Sequence, residues 1–242
     1  MSIVVRNWRD QAPYVGHISA VVWALFRSVS QENPQPPELA RLAGMNSFVK
    51  HALQGRQHSD YHHHTNIEQM YYILRGKGQM ILGEGKREVQ EGDAVYVPVT
   101  VPHQLFNDSD FGMEHLIVSC PVDEVKDGRV ALHNWRNVLP VMTDGMTLSW
   151  PLLTREEQGG SLQRMDSVTR YALQGRQSTT SMQRDGVEQV YYTLSGHGAI
   201  ETDAGPQPIC EGSAAYVPPG TPHRIVNQSE AWIEYVVFAV GL

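Results

Sequence analysis

Short apolar runs alternate with glycine-containing turns through both halves of the chain. In the first half these runs cover residues 70–74, 79–82 and 94–97. They are rich in β-branched and aromatic residues, and strands separated by turn signals at intervals of about 8–12 residues are typical of an all-β sandwich or barrel. The one helix that the pattern predicts is short and runs from Pro36 to Gly44, with proline at its start and glycine at its end. The pattern therefore predicts an all-β protein.

The apolar pattern repeats once along the chain. The segment HALQGRQ at residues 51–57 returns as YALQGRQ at 171–177, and EQMYY at 68–72 returns as EQVYY at 188–192, at the same offset. A weaker match upstream aligns an Asn-Trp-Arg segment at 7–9 with one at 134–136. A repeat of this kind indicates two copies of one structural unit. We predict two tandem barrels, covering residues 1–124 and 125–242, with the boundary near 121–128, where proline and charged residues replace the alternating pattern.

Composition narrows the class of partner. The formal net charge of −7 and a pI of about 5.8 leave no excess of basic residues to neutralise phosphates, so we expect neither nucleic acid nor an anionic membrane as a partner. The start of the chain lacks the pattern of a secretory signal, and the longest apolar run, Ile18 to Phe26, is too short to span a bilayer. We expect a cytoplasmic protein with a small-molecule ligand, in which Cys120 and Cys210 stay reduced.

Three histidines and one glutamate of the first repeat form a candidate metal site. Residues two apart on a strand point to the same face, so His62 and His64 face inward together. Glu68 follows four residues later, and His103 comes from a separate strand. Three imidazoles and one carboxylate form a mixed nitrogen and oxygen site that suits Fe, Mn, Ni, Co or Zn. The alternative is a solvent-exposed histidine run with an unrelated glutamate.

These segments resemble the two motifs of the cupin family. Residues 55–76 resemble the first motif, with glycine, a His-x-His pair, glutamate and glycine, and residues 92–107 resemble the second, with glycine, proline, histidine and asparagine. Two departures are an extra residue before His62 and Thr100 in place of a second glycine. The resemblance implies a bicupin, with two jelly-roll barrels and one divalent metal per chain, held by His62, His64, Glu68 and His103. It also implies a homodimer, and the apolar segment from Val15 to Phe26 is expected either to join a neighbouring sheet or to close its own barrel.

The second repeat lacks a complete site. At the same offset His62 and His64 become Met182 and Arg184, while Glu188 and His223 remain. We predict that this degenerate site holds no metal, that Arg184 pairs with Glu188 in place of the cation, and that His223 is a hydrogen-bonded remnant. The second barrel is thus expected to serve structure only.

Function follows from the metal, which the sequence does not identify. With Fe(II), which the resemblance to cupin dioxygenases favours, the expectation is an oxidoreductase that uses O2 as co-substrate on a small organic molecule. With Mn, Ni or Zn, it is a redox-neutral isomerase, lyase, cyclase or hydrolase in which the metal acts as a Lewis acid. A non-catalytic binding or sensor protein is the third alternative.

Several side chains near the motifs are candidates for substrate binding or proton transfer. Tyr61 directly precedes His62 and Tyr72 lies four residues after Glu68, and both are expected to bind substrate; the alternative for Tyr72 is that it fills the barrel. The candidates for a general acid or base are Tyr61, His58, His115 and Glu114. None of them has a partner that the sequence identifies.

Overall fold

The structure is a computed structural model that describes residues 2–29, 34–156 and 162–242. It is built almost entirely of β-strands, arranged as two jelly-roll barrels, as the repeat predicts. The strands of the first half are β1 Val4–Asn7, β2 Tyr14–Gly16, β3 Ala20–Ser28, β4 Ala40–Leu42, β5 Ser47–Leu53, β6 Gln57–His58, β7 Ile67–Arg75, β8 Lys77–Leu82, β9 Gly85–Gln90, β10 Asp93–Val97, β11 His103–Asn107 and β12 Met113–Pro121. Those of the second half are β13 Ala131–Asn134, β14 Val141–Thr143, β15 Thr147–Thr154, β16 Met165–Leu173, β17 Val187–Ser195, β18 His197–Thr202, β19 Gly205–Cys210, β20 Ser213–Val217, β21 Arg224–Val226 and β22 Ile233–Gly241.

Each barrel combines a large and a small antiparallel sheet. In the first barrel the large sheet has the order β13-β10-β7-β12-β5-β3-β2, and the small sheet has the order β6-β11-β8-β9. In the second barrel the orders are β1-β20-β17-β22-β16-β15-β14 and β19-β18-β21. The segment from Val15 to Phe26 closes its own barrel, because β3 pairs with β5 along most of its length.

The two halves exchange their first strands. Strand β1 pairs with β20 of the second half, and β13 pairs with β10 of the first. A 3-10 turn follows each exchanged strand, at Trp8–Asp10 and Trp135–Asn137, and each of these tryptophans lies against a glycine of the opposite half, Gly212 or Gly92. The predicted boundary at 124/125 lies between β12 and β13, so each half of the sequence contributes one strand to the other half's barrel.

The large sheets are buried on both faces. Alternate residues of β7, such as Tyr71 and Ile73, face the interior of the first barrel. The residues between them, such as Met70 and Tyr72, join a core shared with side chains of the second half, including Phe238. The parity of a residue along β7, that is, whether its number is odd or even, therefore decides whether it faces its own barrel (odd) or the opposite half (even).

The predicted helix from Pro36 to Gly44 is wrong. The segment forms a turn and then strand β4, which pairs in parallel with β3 and buries Leu42 completely. Just beyond the strand, the backbone N–H groups of residues 43–45 donate to the carboxylate of Glu188. In a helix most of these N–H groups would pair within the helix. Their bonds to Glu188 of the second half therefore favour the observed backbone over the helix that the local sequence predicts.

Candidate metal centre

The three predicted histidine ligands of the first barrel come together in the structure. His62 and His103 form an antiparallel bridge, in which the His103 N–H donates to the His62 carbonyl at 2.8 Å and the reverse bond measures 3.2 Å. The carbonyl of His64 accepts from the N–H of Thr100 at 2.8 Å. Thr100 has a φ of +67°, a left-handed conformation that favours glycine, which is the residue that the family motif carries there.

The three imidazoles converge through their Nε2 atoms. The ring centroids lie 4.4 Å apart for His62 and His103, 4.9 Å for His62 and His64, and 5.6 Å for His64 and His103. One nitrogen of each ring lies within 4.8 Å of the other two. Among the described residues, none of the three buried Nε2 atoms has a hydrogen-bond partner. Such a set of unpartnered buried nitrogens fits a metal ion that prefers imidazole.

The opposite nitrogen of two of these rings is already engaged. The Nδ1 of His103 lies 3.0 Å from the carbonyl of Val101, and the Nδ1 of His62 lies 3.2 Å from that of Asp60. A carbonyl accepts a hydrogen bond from a protonated Nδ1, and in that tautomer the lone pair of Nε2 is free to bind a metal. Burial lowers the pKa of His103 to about 4 and also lowers that of His64, so these rings are neutral at pH 7.

Glu68 does not lie at this site, and its prediction as the fourth ligand requires correction. Its side chain is completely buried, and its carboxylate accepts the backbone N–H groups of Gln163, Arg164 and Met165 at 2.9, 2.7 and 2.6 Å. The hydroxyl of Tyr96 donates to the same carboxylate at 2.8 Å. Glu68 has the same parity along β7 as Met70 and Tyr72, so it faces the second half of the chain and ties the two halves together.

Gln69, the next residue, faces the histidines. It is buried, its side chain acts to raise the pKa of His64 against the larger effect of burial, and it donates from Nε2 to the Oγ of Ser119 at 3.2 Å. Its Oε1 accepts a long hydrogen bond from the hydroxyl of Tyr71. Gln69 points to the same side of β7 as Tyr71, which faces the barrel interior, but the sequence alone does not show which side that is, because β7 is buried on both faces.

Among the predicted substrate-binding and acid–base residues, only His115 lies inside the first barrel. It is 3% exposed, with its ring 5.7 Å from that of Tyr71. Tyr72 has the wrong parity, and its hydroxyl accepts from Arg170 between the barrels. The other three face away: Tyr61 is 60% exposed, His58 lies on the outer surface and bonds the carbonyl of Ser59, and Glu114 pairs with Lys50 at 2.9 Å.

Two further histidines of the cavity were missed by the sequence analysis. His51 and His115 are cross-strand neighbours with ring centroids 5.2 Å apart, and His17 lies 5.3 Å from His51. The Nδ1 of His17 also contacts the carboxylate of Asp60 at 2.9 Å. Burial lowers the pKa of His51 well below its usual value and lowers that of His115 to about 3. His17 and His51 are the two that the sequence analysis missed, and a signal was available, because neither recurs as histidine in the second repeat: they align with Asp144 and Tyr171.

The cavity beside the histidines is small. It is lined by His17, His51, His62, Tyr71 and His115, together with apolar side chains. Its water-accessible space is about 10 Å³, which is about enough for one water molecule. The interior therefore suits a compact ligand or one that enters only in part.

The second barrel departs from the predicted pairing of Arg184 with Glu188. Arg184 instead donates to the carboxylate of Asp166 at 2.8 Å. The carboxylate of Glu188 accepts the N–H groups of residues 43–45 at 2.5–2.9 Å, which mirrors the contact of Glu68 with residues 163–165. The physical reason is the direction of the side chain: Glu188, like Glu68, points from its strand toward the opposite half of the chain.

The remaining residues of the degenerate site are the bridge partners Met182 and His223. The Nε2 of His223 lies 2.7 Å from the hydroxyl of Tyr191, and its Nδ1 lies 2.8 Å from the carbonyl of Thr221. Both ring nitrogens are thus hydrogen-bonded, whereas in His103 of the first barrel only Nδ1 has a partner among the described residues.

Comparison with known proteins identifies the family and the fold. A family model described as Cupin domain matches residues 50–119 and again 169–239. An uncharacterised protein of Methanocaldococcus jannaschii is 40% identical over 60 residues, which cover 25% of this chain and 48% of that protein. The chain thus spans about half the length of this curated relative.

Three solved structures share the architecture of the whole chain. A protein of Pseudomonas aeruginosa described as glyoxylate-induced has a TM-score of 0.80 at 13% identity, covering 99% of this chain and 89% of its own. A variant of oxalate decarboxylase from Bacillus subtilis has a TM-score of 0.75 at 12% identity, covering 98% and 79%. The protein YlbA of E. coli has a TM-score of 0.74 at 13% identity, covering 98% and 90%. At these identities the likeness is one of fold.

Within the described residues, no helix has the length and apolar character needed to cross a membrane.

Proposed function

Because the chain belongs to the cupin family, with one cupin barrel in each half, we propose that the first barrel binds one divalent transition metal through His62, His64 and His103. The observation that carries this proposal is the set of three unpartnered Nε2 atoms in the barrel interior. A buried polar atom without a partner costs about 1–3 kcal/mol, so a site with three of them is costly unless something binds there. Zn, Ni, Co, Fe and Mn all accept imidazole ligands.

Gln69 is the proposed fourth protein ligand. It faces the same interior as the histidines, and its side chain is close enough to His64 to counteract part of the effect of burial on the pKa of that ring. An amide oxygen is an uncharged donor, whereas Glu68 would have contributed a negative charge. The proposed ligand set is therefore neutral and leaves the full charge of a divalent metal uncompensated.

This neutral ligand set favours redox-neutral chemistry over the dioxygenase activity expected from sequence. A metal bound here would polarise a carbonyl group or activate a coordinated water. Non-heme Fe(II) oxygenases commonly include a carboxylate among their ligands, and the dioxygenase hypothesis counted Glu68 as that ligand. We therefore propose an isomerase, lyase or hydrolase that acts on a small carbonyl or carboxylate compound.

The side chains next to the three histidines contribute to positioning a substrate. Tyr71, His51 and His115 line the small cavity next to His62 and are placed to hydrogen-bond a substrate bound there.

The metal proposal is tested by titrating chelator-treated protein with Co²⁺ and recording its visible absorption bands. Wild-type protein is expected to bind one equivalent, and the His62→Ala and His103→Ala variants are expected to lose the bands. His63→Ala is the matched control, because His63 is exposed beside the ligands and faces away. Equal binding by wild type and His103→Ala would refute the site.

The reaction class is tested by NMR in D2O, without oxygen, on a panel of small hydroxy acids, keto acids and aldoses. Metal-dependent proton exchange or product formation under these conditions supports redox-neutral chemistry. Oxygen uptake that requires added Fe(II), with no anaerobic turnover, would overturn it in favour of a dioxygenase. Ligand binding without turnover under either condition would identify a binding protein.

A further inference from the structure

The interior of the second barrel holds a cavity of about 400 Å³, whereas the cavity beside His62 in the first barrel measures about 10 Å³. Pockets for small ligands commonly measure about 300–1,000 Å³. The converging imidazoles of the first barrel have no equivalents here, because His62 and His64 align with Met182 and Arg184. The second barrel is thus the roomier of the two, although it lacks the metal ligands.

The cavity wall is rich in hydroxyl groups. Ten of its 17 lining residues are serine, threonine or tyrosine. Two of the tyrosines, Tyr171 and Tyr235, replace His51 and His115 of the first barrel and stack with ring centroids 5.3 Å apart. A hydroxyl group both donates and accepts hydrogen bonds, so a wall of this kind complements a ligand whose own groups do the same.

One hydroxyl of this wall is buried and unpaired. Thr147 is 2% exposed, and among the described residues its Oγ1 has no hydrogen-bond partner. An unpaired buried hydroxyl is a cost to the folded protein. At the aligned position, 20, the first barrel has alanine, so the barrel architecture does not itself require a hydroxyl here.

The charges at the cavity do not favour an anionic ligand. The lining contains one cation, Arg184, and one anion, Asp144. Arg184 is already paired with Asp166 at 2.8 Å, and a carboxylate oxygen of Asp144 accepts the N–H of Thr180 at 3.1 Å. No uncompensated positive charge remains to bind a carboxylate or a phosphate.

We propose that the second barrel is a metal-independent binding site for a neutral, polyhydroxylated small molecule the size of a monosaccharide or cyclic polyol. Its polar wall hydrogen-bonds the hydroxyl groups of the ligand, while Val237, Ala239 and the tyrosine rings contact its carbon skeleton. This assignment gives the second barrel a function of its own and does not depend on the chemistry of the first.

The experiment is a saturation-transfer NMR titration of the full-length, chelator-treated protein, so that no metal in the first barrel contributes. The probes are glucose, xylose and inositol, with gluconate and glucuronate as their anionic counterparts. The variants are Thr147→Val and Tyr235→Phe. Tyr71→Phe is the matched control, because it makes the same change in the interior of the first barrel.

At least one neutral probe is expected to bind, and each second-barrel variant is expected to weaken it by roughly 3- to 10-fold, the effect of one neutral hydrogen bond. Tyr71→Phe is expected to leave the affinity within about 2-fold, since it removes no group of this cavity. Thr147→Val should also melt no lower than wild type when ligand is absent, because it removes an unpaired buried hydroxyl; this separates lost binding from lost folding.

Three results would overturn the proposal. The first is that no neutral probe binds at millimolar concentration. The second is that gluconate or glucuronate binds more tightly than the neutral probes. The third is that Tyr71→Phe abolishes binding while Thr147→Val and Tyr235→Phe leave it unchanged.

Discussion

The substitution Glu68→Gln separates a metal ligand from a structural anchor. One carboxylate oxygen of Glu68 accepts the N–H groups of Arg164 and Met165, and the other accepts that of Gln163 and the hydroxyl of Tyr96. Glutamine retains one acceptor oxygen and places an NH2 group where the other stood. Tyr96 can turn its hydroxyl to accept from that group, but the opposing backbone N–H cannot.

The expected cost is about 2–4 kcal/mol. It consists of one buried donor left unpaired, at about 1–3 kcal/mol, and of the weaker bonds that a neutral acceptor makes in place of a charged one. We expect Glu68→Gln to lower the free energy of unfolding in urea by this amount and to retain Co²⁺ binding.

Glu188→Gln is the matched control for this prediction, since Glu188 makes the mirror-image contacts with residues 43–45 and lies in the half without the histidine cluster. The two variants should lose similar stability, and neither should lose the metal. The argument fails if Glu68→Gln abolishes Co²⁺ binding while Glu188→Gln does not, because Glu68 would then be a ligand after all. It also fails if both variants unfold within about 1 kcal/mol of wild type.

Three further predictions follow from buried groups. Burial lowers the pKa of His115 to about 3, so as the pH falls this side chain is protonated in the unfolded chain before it is protonated in the folded protein. Between pH 6.5 and 5, the unfolding free energy of chelator-treated wild type should therefore fall by about 2 kcal/mol more than that of His115→Gln. Parallel pH profiles of the two proteins would refute this. Gly92 has a φ of +88°, and a Cβ there would lie 2.4 Å from Trp135. We expect Gly92→Ala to lower the free energy of unfolding in urea by about 2–4 kcal/mol. Gly112→Ala is the control and should have little effect, because a Cβ there meets open space. Chelation should lower the melting temperature of wild type, since a metal at 100 times its Kd stabilises by about 2.7 kcal/mol, but should not lower that of His103→Ala.

Local pattern and repetition determined much of the fold. Strand-length apolar runs, frequent turns and a constant repeat offset were enough to predict two all-β barrels. Strand alternation placed His62 and His64 on one face, and the resemblance of residues 55–76 and 92–107 to the cupin motifs added His103 to the same site.

The choice between Glu68 and Gln69 as the fourth ligand shows where the sequence analysis failed. Glu68 and Gln69 are adjacent, and on a strand buried on both faces their hydrophobic neighbours do not reveal which face is which. The sequence analysis chose Glu68 because a carboxylate is a common metal ligand. In the structure Gln69, not Glu68, points to the side of β7 that faces the histidines. The same ambiguity led the sequence analysis to choose Tyr72, which lies between the barrels, instead of Tyr71, which lies inside the first barrel.

The sequence by itself therefore determined the architecture, the repeat and the three histidines, because these depend on local periodicity and on spacing within one half. Only the tertiary structure decided the exchange of β1 and β13 between the halves, the contacts of Glu68 and Glu188 with the opposite half, and the size of the two cavities. Each of these depends on which surfaces of the two halves face one another. That arrangement is set by packing between residues about 100 positions apart in the chain, such as Glu68 and Met165, and no local pattern records it.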